Sequence, residues 1–371
     1  MRTIHPVAIA LATGLALGPG LAAQDLSRTG ALLPYGAMAA RIASALEAGG
    51  DRVLLRYDPE TYPELASYVG EAVERDGATI EFMPYGEVPR FDERLAQADV
   101  YVWLPAGPNA VTTAEQAAAL GRWLDSGRGR QIHFHWNGGT QGLDGLMGTH
   151  SPTYDSIYAA ALGIDYEALD ATQSQAITLL RSSTIHVTTP AGTDLRFSVG
   201  DRPFNKQNGD ASREAMAQAR TRIDREIELP AGVVRVAPLE ETVNGTLVVP
   251  WARFGEDVVR GLRLTIENGT VTDVGAEAGV DVVRGAMESQ PALRYFRELA
   301  IGFNPRLLKP AFEPWIPYYG YGAGAVRLSL GNNREVGGAV SGIGVRWFFF
   351  DDATVMVDDT PIVVDGRLEI P

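Results

Sequence analysis

The chain has 371 residues, 45% of them hydrophobic and 21% charged, with 41 Gly and 22 Pro, a globular composition at a length that fits about two domains. Its 32 Lys and Arg stand against 46 Asp and Glu, and a net charge of −14 repels phosphate backbones and anionic lipid, which argues against nucleic acid or a membrane surface as partner. There is no Cys, so disulfides, thiolate metal sites and cysteine nucleophiles are excluded. Residues 1–23 read as a secretory signal: Arg2, the apolar run 7–18, the break at Pro19-Gly20 and the small pair Ala22-Ala23. That run is shorter than the roughly 20 residues a membrane span needs, and no later stretch reaches that length. A periplasmic or secreted protein without membrane insertion is expected.

Residues 24–180 carry the pattern of an α/β domain. Residues 52–57 (RVLLRY), 79–83, 99–104 and 131–136 are strand-like apolar runs. Between them, 62–77 places Leu65, Val69, Ala72 and Val73 at helical spacing, and 112–125 reads as a helix capped by Thr113. This alternation predicts a mostly parallel sheet, with a helical stretch over 153–180 leading out of it. Residues 181–371 predict an antiparallel-rich α+β domain. Strands at 184–188 and 195–199 form a hairpin, followed by candidates at 233–236, 246–249, 262–266, 270–274, 325–330, 345–350 and 361–364. Asn268-Gly269 and Asp365-Gly366 are hairpin turns that want positive φ, and 281–297 is the one clear helix.

Familiar catalytic signatures are missing: no P-loop lysine motif, no GxSxG elbow and no HExxH. The five histidines are His5, His133, His135, His150 and His186, so nothing later in the chain supplies an imidazole. His133 and His135 are two apart on a strand and share a face. With Asp144 or His150 they offer metal donors; the plainer reading is a buried strand end running into a Gly-rich loop with the polar residues Asn137, Thr140 and Gln141. The aromatic stretch 315–321 fits a substrate-facing loop, interdomain packing or a homodimer surface equally well.

Several phrases, in order along the chain, resemble the aminopeptidase T type of leucyl aminopeptidase. They are GDRVLLRYDPETYPELASYVGEAVERDGATIEFMPYG (50–86), ALGIDYEALD (161–170), VTTPAGTDLRFSVGDRP (187–203), LPAGVVRVAPLEETVNGTLVV (229–249), ELAIGFNP (298–305), VRLSLGNN (326–333) and TPIVVDGRLE (360–369). The resemblance implies a two-domain fold and a metal-dependent exopeptidase ancestry with two divalent ions. It also places the family's metal-binding and catalytic positions. The glutamate of one phrase is kept as Glu298. The other positions fall on Val233, Arg327, Arg334, Val345 and Trp347, none of which is a metal donor. Dioxygenases that open hydroxypyridine rings share this general fold and need iron held by His and Asp, which the same replacements remove. No metal cofactor is therefore expected.

Between residues 294 and 346 seven basic residues (Arg294, Arg297, Arg306, Lys309, Arg327, Arg334 and Arg346) face three acids, Glu298, Glu313 and Glu335. Glu298, Arg327 and Arg334 are the candidate ligand-binding residues. Either the two arginines grip a carboxylate or other anion, or Glu298 closes an internal ion-pair network. The sequence thus reads as an exported, divergent aminopeptidase-like protein acting on or binding peptides. The alternatives are a metal-free binding protein for a small anionic ligand, and an amide- or ring-directed hydrolase with replaced chemistry.

Overall fold

The computed structural model describes residues 33–60, 63–85, 90–104, 112–136, 140–143, 152–181, 183–310 and 315–370. The signal expected over 1–23, and Asn137, Asp144 and His150, lie outside these. The chain divides into two compact units: residues 1–134 with 211–218, and residues 135–210 with 219–371. The sequence reading draws its boundary later, at 180.

The first unit runs α1 (Tyr35–Leu46), β1 (Arg52–Tyr57), α2 (Pro63–Arg75), β2 (Thr79–Pro84), α3 (Phe91–Gln97), β3 (Val100–Trp103), α4 (Ala114–Asp125) and β4 (Arg130–Phe134). Its strands lie in the order β2-β1-β3-β4, every pair parallel. The four segments expected to be neighbours are neighbours. Val53, Leu54 and Leu55 of β1 are all buried, as a strand covered on both faces requires. Thr113 caps α4 as its position foretold: its side chain accepts the Gln116 N–H at 3.2 Å, and Gln116 Oε1 accepts the Thr113 N–H at 3.1 Å. The helices α1 and α3 were not read from sequence. The first is held by a buried stripe of Met38, Ala39, Ile42, Ala43, Ala45 and Leu46.

The second unit opens with β5 (Thr140–Gly142), α5 (Pro152–Leu162) and α6 (Tyr166–Arg181). The helical stretch 153–180 is thus two helices, the second begun by Asp165, whose carboxylate accepts the Ala168 N–H at 2.9 Å. Next come β6 (Thr184–Thr188), β7 (Asp194–Ser198) and β8 (Phe204–Gln207). A short helix, α7 (Arg213–Ala217), falls in the segment assigned to the first unit. Then follow β9 (Glu226–Leu229), β10 (Val233–Val236), β11 (Asn244–Phe254), β12 (Asp257–Glu267), β13 (Thr270–Gly275), α8 (Val280–Ser289), β14 (Phe296–Gly302), β15 (Trp315–Pro317), β16 (Val326–Gly331), β17 (Val345–Phe350), β18 (Thr354–Val357), β19 (Thr360–Val364) and β20 (Arg367–Leu368).

Two antiparallel sheets dominate this unit. One has the order β13-β12-β11-β7-β6-β18-β19-β20 and the other β17-β16-β14-β10-β8. Asn268-Gly269 has φ of 50° and 78°, and Asp365-Gly366 48° and 73°, so both hairpin turns form as read. The helix expected over 281–297 ends at Ser289, just ahead of Pro291, and the chain from Phe296 onward is strand β14. Proline cannot continue a helix beyond its first turn, and the apolar residues on both sides of Pro291 hid the change.

Candidate functional site

The five-stranded sheet has two unlike faces. Antiparallel register puts directly paired residues on one side. Val236, Leu299, Leu328 and Phe348 pair in sequence across β10, β14, β16 and β17 and form an apolar row, each buried. The opposite face carries Glu298, Ser329 and Trp347 in one row, and Arg235, Ala300, Arg327 and Phe349 in the next. These polar side chains are as buried as the apolar ones: Glu298 and Ser329 are 0% exposed, Arg235 1% and Arg327 3%. The register of β14 against β16 shifts between Phe296 and Glu298. Arg297 is the extra residue at this irregularity, and such a bulge re-aims a side chain out of strict alternation. Arg297 therefore joins Glu298 instead of entering the apolar face.

Both oxygens of Glu298 are taken. Oε2 accepts from Arg235 Nη2 at 3.0 Å and Nε at 3.3 Å, and is paired with Arg297 as well. Oε1 accepts from Arg327 Nη2 at 3.1 Å. Glu335 closes the other side, accepting from Arg235 Nη2 at 2.9 Å and from Arg297. Burial alone would raise the Glu298 carboxyl, but the guanidiniums of Arg235, Arg297 and Arg327 outweigh it and hold it at about 2. Glu335 is lowered for the same reason, burial being outweighed by Arg297 and Arg235. Burial pulls Arg297 and Arg327 down, whereas for Arg235 the charges of Glu298 and Glu335 prevail and raise it.

An aromatic and acidic rim adjoins this cluster. Arg327 Nη1 donates to the Tyr319 carbonyl at 3.3 Å, and its guanidinium lies 5.3 Å from the Trp347 ring. The Tyr319 ring meets Trp347 at 6.0 Å and His135 at 5.7 Å, both edge-on. Tyr319 has φ 48°, an unusual conformation for a side chain of this size, and its hydroxyl is raised by burial, by Glu228 in addition, and against the pull of Arg327. Tyr321 donates to Glu228, and His135 Nε2 lies 3.9 Å from the other oxygen of that carboxylate.

Residues 164–309 match the family model described as thermophilic metalloprotease (M29). Among solved structures, the 2,5-dihydroxypyridine dioxygenase of Pseudomonas putida KT2440 is 18% identical with a TM-score of 0.60, covering 91% of this chain and 96% of that one. Wild-type AmpT from Thermus thermophilus is 15% identical with a TM-score of 0.59, covering 90% and 98%. No curated protein matches. Over residues 164–309 the chain is similar to the M29 metalloproteases, and its fold is shared with both of these structures.

The structure brings Glu298 and Arg327 together, but not Arg334. Arg334 is exposed at the start of a short turn, and among the described residues its recorded bond is a backbone one to the Asn332 side chain at 3.0 Å. Arg235 and Arg297 occupy the place expected of it. Arg235 could have been noticed as the one charge inside VVRV; Arg297 lay within the misread helix. Of the other positions that the resemblance singled out, Val233 is buried on β10, Trp347 stands beside Arg327, and Val345 is 42% exposed.

The two divalent ions that the resemblance implies do not fit at Glu298. Its carboxylate is saturated by guanidiniums within 3.3 Å, and a metal would meet cations where it needs anionic or neutral donors. His133 belongs to the first unit, buried with its ring 4.3 Å from Trp103. His135 begins the second, two residues later, and faces Glu228. Among the described residues His186 also faces a carboxylate, its Nε2 2.7 Å from Asp194 Oδ1.

Proposed function

We propose that this protein binds peptides or small anionic molecules on an aminopeptidase scaffold whose two-metal hydrolytic centre has been replaced by a fixed ion-pair cluster. One observation carries the reading: Glu298, the retained carboxylate of the family phrase, is held by Arg235, Arg297 and Arg327. Guanidinium groups neutralise the carboxylate permanently but cannot activate a water as a divalent ion does. The cluster is also close to closed. Three guanidiniums meet Glu298 and Glu335, and Glu228 adds a third carboxylate whose charge acts on both Arg235 and Arg327. Arg327 keeps one donor, its Nε, buried without an acceptor among the described residues, for a ligand to meet. Export to the periplasm or beyond is part of the same proposal and rests on the signal-like residues 1–23.

The test combines hydrolysis and binding. Purified protein is incubated with leucine p-nitroanilide and with leucyl peptides, with and without added zinc, cobalt or manganese, and titrated with the same peptides by calorimetry. Binding without metal-stimulated release of leucine is expected. Release of leucine that a chelator abolishes would instead establish a divergent aminopeptidase.

A further inference from the structure

The first unit contains a second buried arginine problem, unrelated to the Glu298 cluster. Arg56 lies near the carboxyl end of β1 and is 1% exposed. Among the described residues it has no carboxylate partner. Its one recorded side-chain bond runs from Nη2 to Gln116 Oε1 at 3.3 Å, while Nε and Nη1 are buried without an acceptor. Its guanidinium instead lies over two rings, 4.3 Å from the centre of Tyr85 and 5.1 Å from that of Phe91. Gln116 shares the deficit. Its oxygen accepts from both Thr113 N–H and Arg56, and its Nε2 is buried with no acceptor among the described residues. Three donor atoms on two buried side chains thus lack acceptors at one place. A buried charge without a counter-charge is costly unless something answers it.

The topology gives the place a meaning. With strand order β2-β1-β3-β4, the chain turns to one side of β1 for β2 and to the other for β3. The switch point lies between β1 and β3, and in open parallel sheets ligands bind beyond the carboxyl ends of the strands at that point. Arg56 and Trp103 are register partners on those two strands, one residue from the end of β1 and at the end of β3.

We infer that Arg56 and Gln116 form a binding site for the carboxylate of a small monoanion, with Tyr85 and Phe91 as its apolar walls. The donors call for an acceptor with no hydrogens of its own. A single guanidinium neutralises a single negative charge, so a phosphate dianion would leave a charge uncompensated among aromatic rings. Tyr85 stays a neutral phenol there, its hydroxyl pushed well above its ordinary value by burial first and by Tyr101 next.

The experiment is calorimetry on the full chain in chloride-free buffer with benzoate, acetate and inorganic phosphate, repeated on Arg56→Met and Gln116→Glu. Benzoate should bind once per chain, at least ten-fold more tightly than phosphate. Arg56→Met should lose that affinity at least ten-fold. Gln116→Glu supplies a carboxylate from within the protein, so it should abolish benzoate binding while leaving the melting temperature no lower, which guards against misfolding as the cause. Failure of benzoate and acetate to bind, phosphate binding as tightly as benzoate, or benzoate binding that survives either substitution would overturn the site.

Discussion

Glu298 owes its ionised state to its neighbours, and that dependence is measurable. Its carboxyl is held at about 2 against an ordinary 4.5 by the three guanidiniums around it. A depressed folded-state value contributes stability that is complete above the unfolded value and is lost as pH falls from about 4.5 toward 2. The contribution is about 3 kcal/mol, and Glu335, also lowered, adds in the same direction. Urea unfolding of wild type and Glu298→Gln should therefore show a stability gap at pH 6 that narrows at pH 3; parallel curves would contradict the ion-pair geometry. Arg235→Met removes one guanidinium and leaves Glu298 and Glu335 short of a donor each, since Arg235 Nη2 serves both. Breaking a buried pair in this way costs about 3–5 kcal/mol, which denaturant unfolding at pH 7 would register. The sequence disclosed Glu298 and Arg327 because they sit in recognisable phrases. It concealed Arg235, since a lone charge in a short apolar strand looks like a residue on a solvent face. Carboxylates 63 and 100 positions further along, Glu298 and Glu335, make its burial tolerable.

At the scale of elements, the parallel sheet was legible because each of its strands is a short apolar run separated by a helix-length segment. Thr113, Asn268-Gly269 and Asp365-Gly366 were legible because capping and left-handed turns need particular residues. Thr113→Ala should cost about 1 kcal/mol through loss of the α4 cap, measurable as a lowered melting temperature. Strand β14 was not legible. Its bulge sets Arg297 and Glu298 side by side, so the alternation that marks a strand is broken at the point where the site lies. The segment after β14 is pressed against that strand's end. A Cβ at Gly302 would sit 2.0 Å from the Gly322 carbonyl oxygen and 2.6 Å from that of Gly320. Gly302→Ala should therefore displace the chain that bears Tyr319 and Tyr321, destabilising the protein by about 1–3 kcal/mol. A changed near-ultraviolet circular dichroism spectrum would accompany it, because Tyr319 packs on Trp347.

For the whole molecule, the likeness to M29 peptidases lies in the order of the phrases and in the match over residues 164–309, while the proposed loss of chemistry rests on a handful of side chains around Glu298. A scaffold can keep its sheets when its ligands change, because the apolar face of β10, β14, β16 and β17 is independent of what the polar face holds. On the proposed reading, guanidiniums in place of metal ions keep positive charge beside Glu298 and so keep the carboxylate neutralised, yet supply no Lewis acid. The measurement that bears on this most directly is elemental analysis of the purified protein after exposure to zinc, cobalt and manganese and removal of free ions. No pair of tightly held divalent ions should be present, and Glu298→Gln should leave the metal content unchanged. Two ions per chain that disappear in Glu298→Gln would show that the hydrolytic metal centre survives and that the arginine cluster does not replace it.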